Sequence, residues 1–328
     1  DFCLSRGLGD VYKRQDYYYR KGTDLIGLRM LPLETGYTST TVNWAQMENE
    51  GVEVALTTRN IHTKDFTWFT NLNFGYNDNT VLRETVAENA IRPSREGYSV
   101  GAIFAYKTAG LDDEGYPLFL TQDGRKVTAT EFFKLNNAGA STLSAEEQRN
   151  LYSYIGSTEP KVSGGFMNTF KYKRVTLGIN CIFNFGMYVQ TTPTYDPTNY
   201  DRGLNSNQDI LNRWTPDHTN TTLPKLMTEN DGRTGEYLRY KEQNLFRELD
   251  IWVKKQNYFR FESIRLGYEL PEKWLKPVGI KSASVSLEGR NLWVIASNYH
   301  NYLDPETMGN PYAAPIPKSF IFGLNVNF

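Results

Sequence analysis

The residues best placed to do chemistry by contact are aromatics set among polar groups. Tyr188, Tyr195, Tyr200 and Trp214 share one stretch with Asp196, Asp201 and Asn205, and Tyr299, Tyr302 and Tyr312 crowd a second. An aromatic side chain offers a large apolar face with a polar handle, which suits stacking on sugar rings. The same rings also suit packing loops together or meeting a partner, and that plainer reading carries more weight. Glu288 and Arg290 lie two residues apart on one strand, where they either contact a ligand or neutralise each other. Tyr195, Tyr200, Trp214, Tyr299, Tyr302, Glu288 and Arg290 are therefore the candidate substrate contacts.

Covalent and metal chemistry find little support. His62, His218 and His300 are scattered, without a Cys or Glu at ligand spacing. Cys181 sits inside an alternating strand and Cys3 near the amino end, so no disulfide framework emerges. His-Glu-x-x-His pairs and Gly-rich phosphate loops do not occur. Asp112-Asp-Glu-Gly115 lacks the ligand spacing of an EF-hand and reads as a solvated turn. No catalytic residue, metal or cofactor is expected, and an enzyme is the weakest reading. A net charge of −1 leaves no basic footprint for nucleic acid.

The elements that must position these residues are strands. Phe320, Phe322, Leu324, Val326 and Phe328 share one face of the last segment, with Ser319, Ile321, Gly323, Asn325 and Asn327 on the other. Leu177, Ile179, Cys181, Phe183 and Phe185 likewise oppose Thr176, Gly178, Asn180 and Asn184. Phe66, Trp68, Thr70, Leu72, Phe74 and Tyr76 oppose Asn71, Asn73, Gly75 and Asn77. In 257–270 the phase slips by one residue near Glu262–Ser263, which predicts a β-bulge. Eight strands follow: 16–28, 50–60, 66–79, 160–172, 174–187, 257–270, 281–295 and 317–328.

One apolar face per strand fits a soluble sandwich or a membrane barrel. The linkers discriminate. Those at 61–65, near 173 and at 271–280 are short; those at 29–49, 80–159, 188–256 and 296–316 are long. Strict alternation of short turns and long loops is the pattern of outer-membrane barrels. The segment 100–109 is assigned to the external excursion, since another wall strand would break the parity. No uncharged apolar run approaches the roughly 20 residues of a membrane helix, which does not count against a barrel. Aromatics at 14% and a negative mean hydropathy fit it. Leu177, Ile179, Phe183, Phe185, Phe320, Phe322, Leu324 and Val326 are then expected to face lipid.

In the long loops, Ser144-Ala-Glu-Glu147 reads as a capping box opening a helix to about Tyr154. Asp123-Gly124 reads as a hairpin turn. The amino end looks foreign. Ser5–Gln15 back-translates into a string resembling the transposon-end adapter of shotgun sequencing libraries. Residues 1–15 are expected to be non-native, with the native frame beginning near Asp16.

From Asp16 to Phe328 the chain resembles the carboxyl-terminal part of the SusC/RagA-type TonB-dependent transporters of Bacteroidota. The matching motifs are Asp16-Tyr-Tyr-Tyr-Arg-Lys-Gly-Thr-Asp-Leu25, Asn49-Glu-Gly-Val-Glu53 and Phe66-Thr-Trp68 with Asn73 and Asn77. They continue in order through Gly156-x-x-x-Pro160, Gly164-Gly-Phe166, Phe261–Pro271, Gly289-Arg-Asn-Leu292, Asp304-Pro-Glu306 and Phe328. Each is weak alone; their order over the chain is specific.

The resemblance implies an all-β fold, the final third of a plugged barrel of about 22 strands, without the plug domain. It implies a TonB-energised importer of glycans or peptides in the outer membrane, with a SusD-like lipoprotein as lid. This chain would supply barrel wall and external loops, and would meet the TonB system only through the missing plug. Phe328 would serve as the assembly signal for insertion. A passive porin is the first alternative, and a soluble β-rich glycan-binding module the second.

Overall fold

The computed structural model describes residues 11–31, 33–199, 205–297, 304–310 and 312–328. Strands β1 (Val11–Met30), β2 (Ser39–His62) and β3 (Phe66–Arg83) come first. A long excursion follows. It carries β4 (Ala102–Ala105), β5 (Thr108–Leu111), β6 (Pro117–Leu120), β7 (Lys126–Val127), α1 (Ala129–Phe133), α2 (Ala145–Arg149) and β8 (Ser153–Ser157). After β9 (Val162–Tyr172) and β10 (Val175–Phe185), a second excursion holds β11 (Tyr188–Gln190), α3 (Thr234–Gln243) and β12 (Val253–Lys255). The chain closes with β13 (Tyr258–Glu269), α4 (Glu272–Leu275), β14 (Ser282–Ala296) and β15 (Ser319–Asn327).

Eight of these strands form one sheet in the order β1-β2-β3-β9-β10-β13-β14-β15, every neighbouring pair antiparallel. They are the eight strands expected from alternation. Residues 102–105 and 108–111 stay outside this sheet, in small sheets of the first excursion. Glu262 is the bulge: Asn180 pairs with Ser263 and Cys181 with Phe261, and the β14 ladder slips at the same place.

Two expectations need correcting. The linker 29–49 is mostly strand, because β1 and β2 run on and leave a loop of 31–38. At 24 residues, β2 is more than twice the roughly 9–11 residues a tilted strand needs to cross a bilayer. Thr40, Thr41 and Val42 are β-branched and favour extension wherever a neighbouring strand accepts their hydrogen bonds. The helix after Ser144 is short, ending at Arg149 rather than near Tyr154. Its capping box is formed as read, but Ser153 and Tyr154 pair with Ala105 and Phe104 as strand.

Register keeps like faces together across the sheet. Leu177, Leu266, Leu287 and Phe322 form one row, and Phe166, Cys181, Phe261 and Trp293 another. Among the described residues no second layer covers much of this apolar face: Phe320, Phe322 and Leu324 are 71%, 73% and 63% exposed. A sandwich would have buried them. The hydrophobic core lies instead in the two excursions, where Tyr106, Tyr116, Phe119, Phe133, Tyr240 and Leu249 are buried together. The excursions therefore form one packed lobe beyond the sheet. Gly51 shows why its motif needs glycine. A Cβ there would meet the Tyr76 carbonyl and the Tyr18 ring, which lies over it and donates its hydroxyl to Asn77.

Candidate functional site

The polar face of the sheet forms a recess of about 490 Å³, lined by Thr176, Gly178, Asn180, Arg265, Ser286 and Glu288 among others. Small residues make its floor. A side chain at Gly178 would meet nothing within 4 Å. Charges make its lip and are mostly paired. Arg290 donates from Nε to Glu288 at 2.6 Å, and Lys171 reaches Glu269 at 2.8 Å across the intervening β10. Glu262, turned inward by the bulge, accepts from the Asn180 amide at 2.6 Å. The candidates Glu288 and Arg290 thus form a mutual pair on this face. The geometry suits polar, hydrated occupants and holds no nucleophile–base pair among the described residues.

The lobe gives the aromatic candidates different positions. Tyr195 is buried in the core, edge-on to Phe246, with its hydroxyl donating to the Pro224 carbonyl. That ring is committed to packing. Trp214 is half-buried, its indole lying against Gly115, whose φ of +83° makes the turn. Tyr200, Tyr299 and Tyr302 lie outside the described residues.

Ion pairs bind the excursions to each other. Arg233 of the second donates to Asp112 of the first at 2.7 Å, and its guanidinium stacks over Tyr116. Lys225 approaches the Tyr116 ring at 5.0 Å and pairs with Asp231. Burial alone would raise the Asp231 carboxyl, but hydrogen bonds from Thr228, Lys225 and Tyr116 override it and hold it at about 2. Burial and the bond to Asp231 push the Tyr116 hydroxyl up. Glu236, nearly buried on α3, accepts from both the backbone N–H and the hydroxyl of Thr130 on α1. Asp112, in the turn compared above with a calcium loop, also accepts from the backbone of Glu114 and Tyr116.

One cluster escaped the sequence reading. Arg260 on β13 is buried and paired with Asp304 and Glu306 of the last long loop. Asp304-Pro-Glu306 was visible as a motif; its partner, 44 residues earlier than Asp304, was not. A second pattern was passed over. Gly97-Tyr98-Ser99-Val100-Gly101 matches the Gly-x-Ser-x-Gly of a hydrolase elbow. Such an elbow needs a strand-to-helix turn and a histidine. Here Ser99 shares a hydrogen bond with Ser157 in a loop beside β3, while His62 and His218 bond to Thr67 and the Arg213 carbonyl.

No known family profile matches the chain. TonB-dependent receptor P3 of Formosa agariphila is 26% identical over 95% of this chain and 32% of its own length. TonB-dependent receptor SusC of Bacteroides thetaiotaomicron is 22% identical over 95% of the chain and 30% of its own length. Among solved structures, the RagAB peptide importer in its closed-closed state has the same fold, with a TM-score of 0.71 and 24% identity. That match covers 97% of this chain and 33% of the other. The chain spans about a third of the length of the curated relatives it matches. In its ordered motifs, its eight-stranded sheet and these likenesses the chain is similar to the carboxyl-terminal part of the barrel of SusC/RagA-type TonB-dependent receptors.

Proposed function

We propose that this chain is part of an active outer-membrane nutrient importer. In that role the sheet is barrel wall, its apolar face meets lipid, its polar face lines the lumen, and the lobe stands outside the cell. The observation that carries the reading is the sheet itself: eight antiparallel strands with one bare apolar face, joined from β2 onward by connections that alternate between short and long. No helix among the described residues is long and apolar enough to cross a membrane, and a barrel crosses with strands.

The cargo is a glycan or a peptide, both implied by the family resemblance and the latter also by the peptide importer among the structural neighbours. Energy comes from TonB through a plug encoded outside this chain, and a SusD-like lipoprotein closes the lumen. The protein performs no covalent catalysis. Glu288 and Arg290 contact plug or cargo; Trp214, Tyr200, Tyr299 and Tyr302 meet cargo or lid. Phe328 acts as the insertion signal, because a final strand is an unpaired edge until the barrel closes. Residues 1–15 are non-native. The position of Lys13 and Gln15 supports this, since they pair with Leu56 and Val54 on the apolar face, where a wall strand carries apolar side chains.

Uptake by cells carrying the complete gene tests the proposal. Growth on oligosaccharides or peptides that requires both TonB and the neighbouring lipoprotein is expected. Uptake that persists without TonB would instead make the protein a passive porin.

A further inference from the structure

A row of residues crosses the polar face of the sheet towards the lobe end of β3. Tyr18 of β1 stands opposite Gly51 of β2, and Gly51 opposite Asn77 of β3. One rung beyond the Tyr76–Val162 pair, Asn77 donates its backbone N–H to the Lys161 carbonyl at 3.0 Å, which places Lys161 opposite Asn77. Residues that stand opposite share a face. Tyr18 crosses the bare Gly51 and donates its hydroxyl to the Asn77 side chain at 2.8 Å. A cavity of about 230 Å³ lies at the end of this row, where β3 and β9 part. Its lining includes Asn77, Asp78, Tyr98, Tyr154, Glu159 and Lys161. Asn77 and Lys161 belong to the polar row, so the cavity is continuous with the polar face.

Tyr98 and Tyr154 form an aromatic wall. Their rings stack with centroids 4.7 Å apart and remain 41% and 39% exposed, which leaves ring surface for a ligand. Phe104 braces Tyr98 edge-on at 5.3 Å. The segments that carry the two tyrosines are fastened to each other and to β3. Gly97 donates to the Val81 carbonyl, Thr158 donates to that of Gly101, and Ser99 shares a hydrogen bond with Ser157. The wall is therefore ordered before a ligand arrives, which spares binding the cost of ordering it.

The polar groups left without partners define the occupant. The Asn77 carbonyl is taken by Tyr18, and its amide N–H groups meet no acceptor among the described residues. The Glu159 carboxylate and the hydroxyls of Tyr98 and Tyr154 likewise have no hydrogen-bond partner among them. Lys161 is already paired with Asp78 at 3.3 Å. A ligand must then accept from Asn77, donate to Glu159 and lay an apolar face on a ring. A sugar does all three, since each hydroxyl both donates and accepts and the C–H face of the ring stacks on an aromatic. An ammonium or guanidinium only donates and leaves Asn77 unmet. A phosphate only accepts and meets Glu159 as a like charge. The volume lies below the roughly 300 Å³ where drug-sized pockets begin, which limits the occupant to about one ring.

We propose that this recess is a subsite for one neutral sugar unit of the imported cargo, which makes that cargo a glycan and not a peptide. The inference rests on the importer reading above. The test uses the complete receptor purified from the outer membrane. Native mass spectrometry titrates it with neutral oligosaccharides of glucose, mannose, galactose and xylose, and with a tryptic peptide digest. A neutral oligosaccharide should bind, about tenfold more weakly in Tyr154→Ala and in Glu159→Ala, which lose the ring face and the charged acceptor. Tyr154→Phe keeps the ring and should bind nearly as wild type does. Heat-modifiable migration of each variant shows that its barrel has formed. Equal sugar affinity in wild type and Tyr154→Ala overturns the site. Binding of peptides without sugars, or of neither, overturns the choice of a glycan. Uptake in cells with and without TonB is measured alongside. Uptake that persists without TonB refutes the importer reading, whereas TonB-dependent uptake with unchanged sugar affinity in Tyr154→Ala refutes only this subsite.

Discussion

Arg260 and Asp304 are 2% and 4% exposed, and their side chains meet at 2.5 Å. The first belongs to a sheet strand and the second to the last long loop, so one buried pair, extended by Glu306, fastens that loop to the rim. Removing one member of such a pair leaves an uncompensated charge, a loss of about 3–5 kcal/mol. Arg260→Ala and Asp304→Asn should each release the loop. Limited proteolysis of the complete receptor should then cut within 296–318, while the barrel stays heat-modifiable. Equal resistance in wild type and both variants would show that the pair does not hold the loop.

Ile179 and Asn180 are adjacent on β10 and point to opposite faces. Ile179 shares the apolar rows, whereas Asn180 lines the recess on the polar face. Ile179→Arg should destabilise the complete barrel by about 2–4 kcal/mol near the bilayer midplane, and Asn180→Arg by much less. Unfolding from lipid vesicles measures both. Equal losses would contradict the assignment of faces.

What could be read from the sequence was what local alternation encodes. The eight wall strands, the slip at Glu262–Ser263 and the Ser144 capping box each lie within a few residues of their own signal. The lobe core was not legible, because Tyr106, Phe133 and Tyr240 meet only after two separate excursions fold together. Tyr195 illustrates the difference. Its polar neighbours made it look like an exposed contact, yet burial is decided by Phe246 and Pro224, far along the chain. The tall β2 was underestimated for a related reason: its extension is held by pairing with Arg20–Met30 of β1, a partner that its own local pattern does not reveal.

The Asp231 carboxyl gives the lobe a defined acid response. Its folded value of about 2 lies below the usual carboxylate range near 3.9. A depressed folded value means that the stabilisation is fully present above about pH 4 and is lost as pH falls towards 2. The lobe should keep its near-ultraviolet signal to about pH 4 and loosen below it. Asp231→Asn should be less stable at neutral pH and should show less change between pH 4 and 2. Identical acid transitions in the two proteins would mean that other carboxylates control the lobe.

The apolar face carries a polar cluster. Asn168 on β9 pairs with Ile179 and Thr70, which places it on the apolar face. Its carbonyl oxygen accepts from the Trp68 indole at 2.9 Å and from the Thr70 hydroxyl at 2.6 Å. Asn60 donates in turn to Thr70 and accepts from Thr58, so these five side chains form one hydrogen-bonded network. Hydrocarbon offers no substitute partner for a donor left alone. Asn168→Ala should therefore destabilise the complete barrel by about 1–3 kcal/mol, because Trp68 and Thr70 lose their acceptor. Replacing the donors as well, with Trp68→Phe and Thr70→Val added, should recover part of that loss, since no unpaired donor to Asn168 then remains. Unfolding in vesicles distinguishes the cases. A triple variant no more stable than Asn168→Ala alone would show that lost packing, and not the orphaned donors, accounts for the loss.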